Sequence, residues 1–327
     1  MPVRALLLLL AMITILPIAA LAQTSVAPLE LEAKIPLGPV AGRLDHLAID
    51  LKRQRLFGND SLGVIDIAAG KVLRTIAGLK EPQGVAHEPS TDTVYAANAG
   101  DGSVWVLRGE DLSLVGRIDL GDDADNVRID GARNGVLVGY GKGALAVIDP
   151  SSRTEVTDIR LKAHPEGFQI DESGMRAFVN VPDASQIEIV DLVKDEAIGV
   201  LPTQGYRANF PMALDREAHR VLVGFRSPAR LLVLSAGDGA VVADLDTCGD
   251  ADDVFVDPKR HRVYMACGAG EIDVFEERDG SYQRLSQVGT APGARTMLFV
   301  PEMDRLFLAV RAAGGEPAAI WAFRPVP

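Results

Sequence analysis

Apolar residues alternate with polar ones in short runs along most of the chain, and turns rich in Asp, Pro, Gly and Ser part the runs. A period of two in Val, Ile and Leu is the pattern of strands joined by tight turns. Two such runs flanking one turn recur as a unit seven times. The copies are HLAIDLKRQRLFGND from His46, GVAHEPSTDTVYAAN from Gly84, NVRIDGARNGVLVGY from Asn126, GFQIDESGMRAFVNV from Gly167, PMALDREAHRVLVGF from Pro211, DVFVDPKRHRVYMAC from Asp253 and TMLFVPEMDRLFLAV from Thr296. The fifth residue of each copy, its anchor, is Asp50, Glu88, Asp130, Asp171, Asp215, Asp257 and Val300, so anchors lie 38, 42, 41, 44, 42 and 43 residues apart.

A third apolar run follows each copy: LGVIDI from Leu62, SVWVLR from Ser103, ALAVID from Ala144, QIEIVD from Gln186, LLVLS from Leu231, EIDVFE from Glu271 and AIWAF from Ala319. Except after the last copy, a fourth comes next, such as KVLRTIAGL from Lys71, SLVGRIDL from Ser113 or AVVADLDT from Ala240. Four strands repeating at this interval make one propeller blade, so the pattern predicts an all-β, seven-bladed β-propeller of four-stranded antiparallel blades. The last copy lacks its outer strand, while Leu29 to Leu37 (LELEAKIPL) stands alone before the first. Pairing that N-terminal strand with Ala319 to Phe323 completes the seventh blade, closes the ring and hides two sheet edges.

The phrases VIDIAAGKVLRTI (Val64 to Ile76), VIDPSSRTEVTDI (Val147 to Ile159) and IVDLVKDEAIGVL (Ile189 to Leu201), with TVYAAN and RAFVNVPD, resemble the YVTN-type repeats of bacterial secreted β-propeller proteins. The resemblance covers essentially all of the chain after residue 22 and implies a fold more than a function. The seven-bladed frame is also similar to the lactonase-like propellers, which implies a calcium ion at the channel mouth held by Asn, Asp and Glu. The Gly-His and Trp-Asp pairs of the WD40 group are missing, which disfavours that family.

Composition narrows the compartment and the partners. The chain has 327 residues, a formal charge of -12, 47% hydrophobic and 24% charged residues, and 2 Cys. An acidic surface argues against nucleic acid, whose phosphates need neutralising. Two cysteines exclude a four-thiolate zinc site and an iron-sulfur site. Met1 to Ala22, MPVRALLLLLAMITILPIAALA, carries Arg4, an apolar run and Ala20-Leu21-Ala22, the layout of a secretory signal peptide; the alternative is an uncleaved anchor. The expectation is a signal at 1–22 and a propeller domain at 23–327, periplasmic or secreted, monomeric, and without a membrane span after cleavage. In such a compartment Cys248, in the loop entering blade 6, and Cys267, ending its second strand, reach the same face and can form a disulfide.

Propeller sites sit in loops at one channel mouth, here those entering the innermost strands and those between second and third strands. The entering loops carry Asp45, His46, Gln83, Asp122, Asp123, Asp125, Asn126, His164, Glu166, Arg207, Asn209, Asp250, Asp252, Asp253 and Arg295, and the neighbouring loops add Asn59, Asp60, Asn98, Lys142, Asp183, Arg226, Arg230 and Arg311. We take Asp45, His46, Gln83, Asn126, His164, Glu166, Arg207, Asn209, Asp253 and Arg295 as candidate ligand-binding residues. Asn126, Glu166, Asn209 and Asp253 supply oxygens from blades 3 to 6, suited to Ca²⁺ or another divalent cation, or else they cap strand ends. His46 and His164 beside carboxylates would instead suit a transition metal or supply a general base. The arginines recognise an anionic ligand or pair with the acidic loops. No nucleophile elbow, phosphate loop, dinucleotide fingerprint or His-Glu-x-x-His is present. Two functions remain: a protein that binds a small-molecule, polymeric or protein ligand at the mouth, and a metal-dependent, lactonase-like hydrolase or lyase.

Overall fold

The computed structural model describes residues 27–38, 45–58, 61–171, 175–313 and 317–327. The expected signal at 1–22 lies outside the described residues, as do Asn59 and Asp60. Seven four-stranded antiparallel sheets form the seven blades of a β-propeller. From blade 1 to blade 7 the inner strands are Ala48–Asp50, Pro82–Glu88, Ala124–Asp130, Phe168–Asp171, Arg207–Asp215, Ala251–Asp257 and Thr296–Val300. In blades 1 to 6 the strands run outward in chain order; in blade 7 the outermost strand is Leu29–Pro36, antiparallel to Ala319–Pro325 with Leu29 opposite Pro325 and Pro36 opposite Ala319.

The sequence pattern explains the layers. Second strands such as Thr93–Asn98 and Arg262–Cys267 are buried along their whole length, because blades pack against both faces. Outer strands such as Lys71–Thr75 and Glu196–Leu201 are mostly exposed, and the second of these leaves Ile198 and Val200 at the surface. The core is seven separate apolar clusters, one at each junction between neighbouring blades. Burial of each Val, Leu, Ile or Phe in them is worth roughly 1.5–3 kcal/mol. Ile35 and Leu37 join the cluster between blades 7 and 1, and Leu29 the one between blades 6 and 7, so the closing strand is packed as well as paired.

Cys248 and Cys267 form a disulfide, with Cα atoms 5.8 Å apart, that ties the loop entering blade 6 to that blade's second strand. Among the described residues no helix is long and apolar enough to cross a membrane.

Candidate functional site

The mouth is built by a local device repeated in four blades. Glu81, Asp123, Ala208 and Asp250, each seven residues before its anchor, have φ of 52°, 35°, 59° and 60°. Left-handed backbone at non-glycine residues is uncommon and is held in place by its surroundings. Each is followed by an irregular register at the start of the inner strand, between Pro82 and Val85, Ala124 and Val127, Asn209 and Met212, and Ala251 and Asp253. An irregularity of this kind re-aims a side chain out of the regular alternation. Glycine enters for a different reason: a Cβ on Gly84 would meet the Asp125 carbonyl, and one on Gly167 the Phe210 carbonyl, so the entrances of blades 2 and 4 lie against the backbone of blades 3 and 5.

The residue five before each anchor reads Asp45, Gln83, Asp125, Glu166, Phe210, Asp252 and Arg295 around the ring. All but Arg295 line a small void of about 30 Å³, together with His46, Gly167 and Arg226. That is room for a single ion or water. Asp125 is its most telling member. It is 3% exposed, its Oδ1 has no hydrogen-bond partner among the described residues, and it lies between two imidazoles, 3.8 Å from His46 Nε2 and 3.8 Å from His164 Nε2. A ligand atom from each of Asp125, His164 and Glu166 falls within 4.8 Å of the others.

Charges around the void are strongly perturbed. Burial opposes the imidazolium of His164, but the adjacent Asp125 carboxylate, a 2.6 Å hydrogen bond from Nδ1 to the Gly141 carbonyl and the charge of Asp123 outweigh it and raise the group to about 9. Asp253 stands 4.0 Å from His46 Nδ1 and accepts the Met297 amide at 2.8 Å. Burial nevertheless pushes its carboxyl up to about 7.

Other candidates are placed elsewhere. Asn209 donates from Nδ2 to Asn180 Oδ1 at 3.0 Å and to the Gln186 carbonyl at 2.8 Å, joining blades 4 and 5. Asn126 is fully buried, and both its amide atoms lack a partner among the described residues. Of the oxygen set Asn126, Glu166, Asn209 and Asp253, Glu166 lines the void at the mouth and Asp253 the cavity beneath it. Arg295 bonds both Asp250 oxygens at 2.7 and 2.8 Å and reaches Asp252 Oδ2 at 2.9 Å. Arg226 pairs with the same two carboxylates and lies 4.0 Å over the Phe210 ring, while Arg230 is held by Asp244 and Asp246. Arg207 is exposed at the start of its strand and lines none of the described cavities.

Below the mouth the inner strands of all seven blades enclose a cavity of about 310 Å³ whose upper wall includes His46 and Asp253. Its lining contains Arg128 and Gln169, which reading the loops alone does not reveal. Aligning the seven copies and comparing the residue two before each anchor would have found both.

No family model matches the chain, and no curated protein matches it. Solved structures do. A chain of the Kuenenia stuttgartiensis hydrazine synthase is similar with a TM-score of 0.70 at 16% identity, over 84% of this chain and 98% of that one. A chain in the crystal structure of a mitotic checkpoint complex is similar with a TM-score of 0.77 at 13% identity, over 96% of this chain and 98% of that one. At these identities the likeness concerns the fold, and it spans proteins of unrelated roles.

Proposed function

We propose that the protein is an exported propeller of the YVTN type that holds a divalent cation at its channel mouth and binds a small ligand in the cavity beneath. The observation that carries this reading is the convergence of Asp125, His164 and Glu166, with a buried carboxylate oxygen left unpartnered at the edge of an ion-sized void. One imidazole with two carboxylates, and His46 close by, suits Zn²⁺ or a similar first-row ion better than Ca²⁺. Export is supported by the Met1 to Ala22 pattern and by a disulfide of the kind that persists in oxidising compartments.

A second reading, a lactonase-like hydrolase or lyase, is favoured by one feature: His46 lines both the void and the larger cavity, so a ligand in the channel would lie next to the ion. In that case the cation polarises a carbonyl oxygen, and Asp253 or His46 moves the proton.

The test is titration of metal-stripped protein, residues 23–327, with Zn²⁺ and with Ca²⁺ by calorimetry. One Zn²⁺ per chain is expected, with affinity lowered at least about tenfold by Asp125→Asn and by His164→Gln. Zinc binding indifferent to both substitutions, or a preference for Ca²⁺, would refute the site.

A further inference from the structure

The position two residues before the anchor looks into the channel, and around the ring it reads Ala48, Ala86, Arg128, Gln169, Ala213, Phe255 and Leu298. All but Ala213 line the 310 Å³ cavity. Five of the seven are apolar, as packing between inner strands favours. Arg128 and Gln169 break the pattern, side by side on blades 3 and 4. Packing gives no reason for a guanidinium here, because removing a cation from water is costly unless a counter-charge accompanies it.

Arg128 has no such counter-charge among the described residues. Its Nε donates to the Phe168 carbonyl at 3.1 Å and its Nη1 to the Val127 carbonyl at 2.9 Å, with the guanidinium carbon 5.5 Å from the Phe168 ring centre. These contacts fix its plane. No carboxylate among the described residues lies within ion-pair distance of it, and Nη2 has no protein acceptor among them. Asp253 and Asp125 act on it only from further off, and burial lowers its affinity for its proton. Arg226 and Arg295, by contrast, are consumed by Asp250 and Asp252. Arg128 is thus a pre-positioned, incompletely neutralised cation on a wall whose other side chains are mostly apolar, Leu47, Val85, Met212, Val254 and Met297 among them, with His46, His87, Gln169 and Asp253 as its polar members. It sits two residues deeper along the strands than the ring of His46 and Asp253, about 7 Å.

We propose that the ligand of the channel is a small organic acid whose carboxylate is received by Arg128, with its apolar body against Phe255, Met212, Met297 and Leu298. A guanidinium is suited to a carboxylate through paired N–H donors, and one cation matches one such charge. Apolar residues on most of the remaining wall favour a monocarboxylate over a bare inorganic anion. The inference names the ligand class for the channel in the function proposed above and rests on that reading.

The test measures calorimetric binding of hexanoate and benzoate, of their neutral counterparts 1-hexanol and benzyl alcohol, and of inorganic phosphate. At least one acid should bind wild-type protein about tenfold more tightly than its alcohol and than phosphate, and Arg128→Met should abolish that preference. The same variant should melt within a few degrees of wild type, since it exchanges a half-buried guanidinium that makes no ion pair among the described residues for an apolar side chain while giving up the bonds to the Phe168 and Val127 carbonyls. Should Arg128→Met not fold, Arg128→Lys carries the test: it keeps the charge but loses the fork, so the preference for the acid must fall. No acid preferred over its alcohol, phosphate bound as well as the acids, or a preference that survives substitution of Arg128 would overturn the proposal. Zinc titrations on the same samples separate the two readings. Acid binding without zinc removes only the ion, and zinc binding without acid removes only the organic-acid ligand.

Discussion

Asp253 carries the same residue type as the solvated turn aspartates, yet its burial at the mouth raises it to about 7 while His46 and the Met297 amide pull the other way. A carboxyl whose folded value exceeds its unfolded one adds stability that is fully present below about pH 4 and is lost as pH rises through about 7. Asp253→Asn keeps an acceptor for the Met297 amide and has nothing to titrate. Relative to wild type it should therefore gain stability between pH 5 and pH 8, by up to a few kcal/mol. Urea unfolding of both proteins across that range checks this, and a difference independent of pH would contradict it. Which residues share this environment was only partly legible in the sequence. Asp45, His46, His164 and Glu166 stand out as polar positions in entering loops, whereas Asp125 is one of three aspartates between Asp122 and Asp125. The left-handed residue at Asp123 and the irregular strand start after it decide which of the three turns inward, and no composition rule reveals that.

At the opposite end of the blades, a turn motif becomes a clamp between neighbours. Asp50, Asp130 and Asp257 are each followed three residues later by Arg53, Arg133 and Arg260. Each arginine bonds its own aspartate and then a carboxylate of the next blade: Asp92, Asp195 and Asp304. The remaining four anchors have no arginine at that spacing, so three of the seven junctions have this clamp. The Arg53 fork, with bonds of 2.8 and 2.6 Å, holds Asp92 down at about 2 against the opposing effect of burial, and His87 adds to it. Because that folded value is depressed, the contribution is present above about pH 4 and disappears as pH falls through about 2. Asp92→Asn should cost about 1 kcal/mol at pH 7, the partial exposure of the pair keeping it small, and almost nothing near pH 2. Chemical denaturation at both pH values reads the difference; an equal cost at each would mean that lost packing, not charge, is responsible.

At the level of the whole molecule, the blade count and the ring closure are legible in the repeat interval of the sequence. Both follow from chain-wide periodicity, whereas the channel chemistry depends on single residues that interrupt it. Closure is also where the architecture can be challenged most directly. Leu29–Pro36 supplies blade 7 with its outer strand, the Pro28 carbonyl accepts the Val326 amide at 3.0 Å, and Arg324 and Arg305 pair with Glu30 and Glu32. The strand begins beside the end of Ala319–Pro325, where every other blade has a short turn leading into its own outer strand. If pairing and burial hold the ring, the place of this strand in the chain order is immaterial. A circular permutant that starts at Asp45, runs to Pro327 and continues through a short Gly-Asn turn into residues 27–38 should fold and melt within a few degrees of the unpermuted protein. A chain that simply lacks residues 27–38 should lose several kcal/mol, since it forfeits a strand's pairing and the burial of Leu29, Ile35 and Leu37. Thermal melts of the three proteins decide it. A permutant as unstable as the deletion would show that closure depends on the native chain order, and a deletion as stable as the parent would show that the closing strand contributes nothing.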